Sequence, residues 1–137
     1  MVRTMRKKAY EGDKVLVELA GLSGDDKPVG GGMVTGWKLI DGKWYWFTSN
    51  GGMVTGWKQL SGKWYYFGTN GAMVTGWKKI GGSYYRFTAK GVMQTGWTKY
   101  KGNWYYLKED GRMAQSCSVT VGPKTYEFDR NGVCTNP

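Results

Sequence analysis

The sequence predicts an all-β fold, a solenoid of stacked β-hairpins, from a repeat period, a turn signal and a glycine signal. The repeat is 20 residues long, and its opening methionine recurs at Met33, Met53, Met73, Met93 and, in a degenerate fifth copy, Met113. A fixed period of this length marks a stacked array, because one short unit cannot bury its own apolar face. We therefore expect a repeat domain over residues 33–137, preceded by a separate segment, residues 1–32.

Each repeat carries the signal of a tight β-hairpin. In the first copy, Asp41-Gly42 separates the runs 36–40 and 43–47, which contain aromatic and other β-favouring residues. A two-residue turn of this kind requires positive φ at both central positions, which Asp-Gly tolerates. The later copies hold Ser61-Gly62, Gly81-Gly82 and Lys101-Gly102 in the same slot. A second glycine closes each unit before the next hairpin begins, at Gly51, Gly71, Gly91 and Gly111.

The predicted hairpins carry more aromatic surface than they can bury. Alternate residues of a strand face opposite ways, so Trp44 and Trp46 share one face while Tyr45 and Phe47 share the other. Stacking can bury one of these columns, but a two-stranded unit is too thin to bury both fully. We therefore expect exposed aromatic surface at the junctions between hairpins, and a ligand bound once per junction.

Composition narrows the classes of function. The net charge of +10, from 20 Lys and Arg against 10 Asp and Glu, favours a polyanionic partner at long range. The lysines recur once or twice per repeat instead of forming one block, so nucleic acid is not the favoured partner. No run approaches the roughly 18–20 apolar residues of a membrane span, so we expect no membrane insertion. Without any His, and without a nucleophile or phosphate-loop motif, we expect no enzyme activity and no cofactor.

Several motifs carry a family resemblance: Gly-Lys-Trp-Tyr-Trp-Phe at 42–47, Gly-Lys-Trp-Tyr-Tyr-Phe at 62–67 and Gly-Ala-Met-Val-Thr-Gly-Trp at 71–77. They resemble the choline-binding (cell-wall-binding) repeats of bacterial and phage surface proteins. The resemblance implies a hairpin solenoid that binds choline on teichoic acids, through cages of two aromatics from one hairpin, one from the next and a linker methionine. Carried over by position, the choline-binding residues are Trp37, Trp44, Met53, Trp57, Trp64, Met73, Trp77, Tyr84, Met93, Trp97, Trp104 and Met113.

The chemistry of the ligand agrees with these residue types. A quaternary ammonium has no N–H to donate, so hydrogen-bonding side chains cannot recognise it. Several aromatic faces can, because each contributes about 0.5–2 kcal/mol of cation–π attraction. A polarisable methionine thioether suits the methyl groups on the remaining wall.

The first cage is expected to join Trp37 and Trp44 to Met53 and Trp64, and the second and third cages follow 20 and 40 residues later. The adjacent tyrosine column could supply the third aromatic wall instead. Tyr84 replaces a tryptophan, and Arg86 stands where other repeats have Trp46, Tyr66 and Tyr106, so a cation would weaken that site if it points inward. Because Lys124 replaces an aromatic in the last unit, a fourth cage is expected to be incomplete, leaving three or two competent sites.

The two cysteines predict a disulfide that locks the last unit. Cys117 falls in the tryptophan column and Cys134 falls in the methionine column, and these two columns meet across a cage. The alternative is a pair of buried free thiols in a reducing compartment. A metal site is not expected, because there is no His and no further Cys to complete a ligand set.

Residues 1–32 are too few to fold alone. They are either the remnant of a larger domain or a docking segment that joins a partner protein or pairs with copies of itself. We expect no signal peptide within this segment, because charged residues interrupt its apolar stretch. A wall-binding array with these features fits a phage virion protein (a head fibre, decoration or adhesin) or another protein of the extracellular surface.

Two other functions stay open at this stage. One is a carbohydrate-binding array, similar to the repeats of clostridial toxins and glucan-binding enzymes, which would need hydrogen-bonding side chains around sugar hydroxyls. The other is a structural virion spacer anchored by residues 1–32.

Overall fold

A computed structural model describes residues Tyr10–Glu11, Lys14–Val15 and 35–137. In these ranges the chain forms strands and turns and no helix, and every strand belongs to an antiparallel pair. The strands are β1 Tyr10–Glu11, β2 Lys14–Val15, β3 Gly36–Ile40, β4 Lys43–Phe47, β5 Gly56–Leu60, β6 Lys63–Phe67, β7 Gly76–Ile80, β8 Ser83–Phe87, β9 Gly96–Tyr100, β10 Asn103–Leu107, β11 Cys117–Val121 and β12 Lys124–Phe128. The predicted all-β fold of hairpin repeats is confirmed. Apart from β1 and β2, the segment 1–32 and its predicted docking role lie outside the described residues.

The chain divides into two compact units at the Val74–Thr75 bond. The first unit contains the hairpins β3–β4 and β5–β6, and the second contains β7–β8, β9–β10 and β11–β12. The turns follow the sequence signal: Asp41 has φ of 53° and Gly42 has φ of 77°. Ile40 therefore pairs directly with Lys43, and each of these hairpins keeps five paired positions.

A column of buried side chains forms the core. In the first unit these are Phe47 and Phe67, and in the second they are Phe87, Leu107 and Phe128, all of them buried. Each of these residues also pairs with a linker residue on its outer side, as Phe67 does with Met73 and Leu107 does with Met113. The linker thus covers the second strand of its hairpin, which is why this column, and not the tryptophan column, is buried.

Linkers also fix the register between neighbouring hairpins of one unit. In the first unit, the Met73 N–H donates to the Trp44 carbonyl oxygen at 2.8 Å. In the second unit, Met113 donates to the Tyr84 carbonyl and Cys134 to the Trp104 carbonyl, each at 2.8 Å. The linker that follows a hairpin therefore hydrogen-bonds to the second strand of the preceding hairpin, as the linker after β5–β6 does to β4.

Gly71 should be much less tolerant of alanine than Gly62. Both have positive φ, 86° and 80°, so either change costs about 1–2 kcal/mol of backbone strain. A Cβ on Gly71 would also lie 2.5 Å from the Met53 Sδ, whereas a Cβ on Gly62 meets nothing within 4 Å. Overpacking adds about 1–3 kcal/mol, so Gly71→Ala should lower the free energy of unfolding by about 2–5 kcal/mol. Urea unfolding of the two variants measures the difference, and equal losses would contradict this packing.

The predicted disulfide is wrong, because Cys117 and Cys134 are both free thiols. Phe128 pairs with Cys117 on one side, within the β11–β12 hairpin, and with Cys134 on the other side. The strand β12 therefore lies between the two cysteines, which are two strand spacings apart, about 9–10 Å. A disulfide needs Cα atoms within about 7 Å. Cys117 stands at the register position of Gly96 and not in the tryptophan column, because it pairs with Phe128 as Gly96 pairs with Leu107.

Reducing agent should leave the melting temperature unchanged. Because both cysteines are free thiols, reduction breaks no bond and should not change the free energy of unfolding. Calorimetry with and without dithiothreitol, together with thiol counting on the unfolded chain, checks this. A drop in melting temperature of several degrees on reduction would show that the two cysteines do form a disulfide.

Candidate ligand-binding site

Pairs of indole rings line one face of the hairpins. Trp37 and Trp44 meet edge to face with ring centroids 6.1 Å apart and planes at 86°. The cause is the register: Trp37 pairs with Trp46, and Trp44, two residues away, lies diagonally across on the same face. The same pairing recurs for Trp57 with Trp64 at 6.2 Å and for Trp97 with Trp104 at 6.3 Å.

The second ring of each pair remains accessible. Trp44 is 41% exposed and Trp104 is 38% exposed, and Tyr84 and Trp64 have similar exposure. Aromatic side chains of this size normally bury most of their area. The fold therefore presents one large aromatic face to solvent on each hairpin from β3–β4 to β9–β10.

A tyrosine of the next hairpin provides the third ring, where Trp64 and Trp104 were expected as the first choice. Trp37 contacts Tyr65 at 5.1 Å between centroids, and Trp77 contacts Tyr105 at 5.2 Å. Strand alternation explains this, because Trp64 and Trp104 share the face of the tryptophans of their own hairpins. The opposite face, which carries the tyrosine, packs against the preceding hairpin. Burial raises the pKa of Tyr45, the first tyrosine of this column.

In the Trp77 cluster the methionine is Met113, from one linker later than the expected Met93. Met53 packs its sulfur against Gly71, and Met93 packs against Gly111. Met73, instead of Met53, donates its backbone N–H to Trp44, and Met113, instead of Met93, does so to Tyr84. We name three clusters by their first tryptophan: the Trp37 cluster (Trp37, Trp44, Tyr65), the Trp77 cluster (Trp77, Tyr84, Tyr100, Tyr105, Met113) and the Trp97 cluster (Trp97, Trp104, Tyr126).

The Trp77 cluster encloses a cavity of about 340 Å³, which Arg130 and Asn131 also line. Tyr100 adds a wall, with its ring centroid 5.9 Å from that of Trp77. The Arg86 guanidinium carbon lies 5.4 Å from the Trp77 ring and 5.2 Å from the Tyr100 ring. Its Nη1 donates to Thr98 Oγ1 at 2.7 Å and to the Lys99 carbonyl at 3.2 Å. Arg86 therefore does point towards the rings of this cluster.

The Trp97 cluster is more complete than the sequence suggested. Trp97, Trp104, Tyr126 and Pro137 line a cavity of about 280 Å³. Tyr126 lies 4.7 Å from Trp97 between ring centroids and supplies a third ring. The residue at the register position of Trp104 is Thr125, and not Lys124 as expected. Sequence reasoning missed Tyr126 because it followed the tryptophan column, although the residue falls in the tyrosine column once the one-residue insertion is counted. Cys134 occupies the linker position that methionine holds in the other clusters.

Other chemistries find little support in residues 35–137. They contain no group of three or more His, Cys, Asp or Glu side chains that could hold a metal ion. No carboxylate side chain lines the cavity of the Trp77 cluster or that of the Trp97 cluster. Across the described residues, no helix has the length and apolar character needed to cross a membrane.

The family model of the choline-binding repeat matches residues 34–75 and 74–117. The chain belongs to the choline-binding repeat family. Choline-binding protein F from Streptococcus pneumoniae is 42% identical over 79% of this chain and 36% of its own, with a TM-score of 0.67. A structure of this protein in complex with ipratropium is 40% identical over 78% of this chain and 35% of its own, with a TM-score of 0.72.

A second relative is a modular enzyme. The autolysin LytC of Streptococcus pneumoniae, in complex with a synthetic peptidoglycan ligand, is 28% identical over 72% of this chain and 24% of its own, with a TM-score of 0.60. The chain spans about a third of the length of choline-binding protein F and a quarter of LytC. No curated protein sequence matches the chain. The family resemblance predicted from the sequence is confirmed.

Proposed function

We propose that the chain is a non-catalytic cell-wall-binding module that binds choline on teichoic acids through its aromatic clusters. One observation carries the proposal: accessible aromatic rings from two adjacent hairpins converge around each described cavity. In the Trp77 cluster, Trp77, Tyr84 and Tyr105 converge with the Met113 side chain. Such a set of π faces and a thioether suits a trimethylammonium group, which cannot donate hydrogen bonds.

Similar structures support a cationic ligand. Ipratropium, bound in one structure of choline-binding protein F, carries a quaternary ammonium group, as choline does. In the proposed assignment the rings are Trp37, Trp44 and Tyr65 in one cluster and Trp97, Trp104 and Tyr126 in another. Met73 and Met113 stand at the linker positions of the Trp37 and Trp77 clusters. The pair Trp57 and Trp64 has the same internal geometry and is proposed as part of a further site.

Sugar binding is less well supported. Carbohydrate sites combine aromatic stacking with polar side chains that hydrogen-bond to hydroxyl groups. The Trp97 cluster is lined by three aromatic residues and a proline, with no amide, carboxylate or guanidinium side chain. An extracellular location fits the proposal, while display on a phage virion and docking through residues 1–32 stay predictions.

Titration with free choline, followed by tryptophan fluorescence, tests the function directly. Each site should bind weakly, because immobilisation and desolvation offset most of the attraction; about −4 kcal/mol corresponds to a dissociation constant of order 1 mM. Tetramethylammonium should bind similarly, because it presents the same methyl groups. Glucose oligomers serve as the control and should leave the fluorescence unchanged. A response to the oligomers but not to choline would replace this proposal with a carbohydrate-binding function.

A further inference from the structure

The Trp77 cluster is surrounded by more cations than the Trp97 cluster in the same unit. Arg130 lines its cavity, and the Arg86 guanidinium lies against its Trp77 and Tyr100 rings. Lys79 Nζ lies 5.7 Å from the centre of the Tyr84 ring, and Lys101 Nζ lies 5.3 Å from that of Tyr100. The Trp97 cluster has two such cations, Lys99 at Trp104 and Lys124 at Tyr126, and no arginine lines its cavity.

Nothing on the described surface of the Trp77 cavity neutralises this charge. No carboxylate lines it. The Asp129 carboxylate, next to Arg130 in sequence, accepts backbone N–H groups from Asn131 and Val133 at 2.9 Å and so is held within its own turn. The Trp77 indole N–H is buried and has no hydrogen-bond acceptor, so its positive end is also uncompensated.

A bare quaternary ammonium is therefore poorly matched to this cluster. The rings of Trp77, Tyr84 and Tyr105 attract it, but Arg86 already places a positive charge against one of those rings. Like charges at such distances repel, while an anionic group on the same ligand would restore the balance. Arg130 and Asn131 are placed to receive it, because guanidinium and amide N–H groups pair well with phosphate oxygens.

We propose that the Trp77 cluster recognises a choline phosphodiester as a zwitterion, with the trimethylammonium group among the rings and the phosphate on Arg130 and Asn131. This inference rests on the proposed choline-binding function and adds a specificity that the Trp97 cluster lacks. Arg130 is the specificity-determining residue, since the corresponding positions of earlier repeats hold Ser49, Thr69, Ala89 and Glu109. The one-residue insertion before Phe128 is counted in this correspondence.

Site-resolved titration tests this proposal. The eight tryptophans provide eight indole N–H signals in a nitrogen-15 spectrum, assigned by single Trp→Phe variants. At the Trp77 signal, phosphocholine should bind about threefold to fivefold more tightly than choline, the range of one partly exposed charge pair. At the Trp104 signal, the two ligands should bind with nearly equal affinity.

The variant Arg130→Gln should bring the phosphocholine preference at Trp77 close to one and leave choline affinity at Trp104 unchanged. Arg112→Gln is the matched control: it removes one positive charge from an exposed side chain that pairs with Asp110 at 2.7 Å. Arg112 does not line the cavity, so its loss should preserve the preference. Arg86→Tyr should raise choline affinity at Trp77, because it restores the ring that other repeats carry there.

The outcomes separate the two proposals. If neither ligand moves any indole signal, the choline-binding function fails. If choline moves the signals but phosphocholine has no advantage at Trp77, or keeps its advantage in Arg130→Gln, this inference is overturned while the function stands. Soluble teichoic acid fragments and short-chain phosphatidylcholine below its micelle concentration then identify the source of the phosphodiester. The source is the ligand whose affinity at Trp77 falls in the Arg130→Gln variant. If neither ligand loses affinity in this variant, the inference is also overturned.

Discussion

Replacing Trp97 by Ala should lower the free energy of unfolding by about 3 kcal/mol and also remove one ligand site. Its ring contacts Tyr126 at 4.7 Å and Tyr106 at 5.1 Å between centroids, and Phe128 at 5.8 Å. Truncating a buried tryptophan typically costs about 3–5 kcal/mol, and the partial exposure of Trp97 sets the expected value at the low end. Urea unfolding, followed by far-ultraviolet circular dichroism, measures the change.

The matched variant is Trp104→Ala. This ring lies on the other side of the same cluster and is 38% exposed, so its removal should cost about 1 kcal/mol or less. Both variants should lose the same single ligand equivalent in a choline titration. Equal stability losses in the two variants would contradict the distinction between a packing ring and a binding ring. An unchanged stoichiometry in Trp104→Ala would remove this residue from the site.

The hairpins could be predicted because their signals are local. Asp41 and Gly42 both adopt the positive φ that their dipeptide favours, and this fixes the pairing of β3 with β4. The alternation of Trp44 and Tyr45 on opposite faces was also read correctly from the period of a strand. The sequence did not predict which of these faces contacts the neighbouring hairpin, because that depends on the path of the linker.

The differences between the expected and the observed ring contacts follow from that one missing fact. Once the linker is known to cover the phenylalanine column and return to the previous hairpin, the contact of Tyr65 with Trp37 and the hydrogen bond from the Met73 N–H to Trp44 follow. The disulfide prediction failed for another reason: it placed Cys117 in the tryptophan column, whereas the register places Cys117 at the position of Gly96, with β12 between it and Cys134. Arg130 was missed for a different reason: it belongs to a linker turn that the motif does not include.

Exchanging Trp44 and Trp104 together for Ala should weaken attachment to whole cell walls by about 100-fold. Individual sites are expected to be weak, and linking several of them on one polymer raises apparent affinity by about 10²–10⁴. Removing one accessible ring from each of two clusters forfeits a large part of this gain. Sedimentation with choline-bearing walls measures the apparent affinity, and free-choline titration should show that the remaining sites are unchanged.

The double variant Lys43→Gln with Lys63→Gln separates charge from the clusters. Both lysines are exposed beside hairpin turns, and their loss reduces the net charge from +10 to +8. This variant should be captured by walls more slowly at low salt but should match the unchanged protein at about 1 M salt, where screening acts beyond roughly 3 Å. The deficit of the Trp44 and Trp104 variant should persist at 1 M salt, because ring contacts are short-ranged and partly desolvated. If salt removed that deficit as well, attachment would be electrostatic and the aromatic clusters would not be the wall-binding sites.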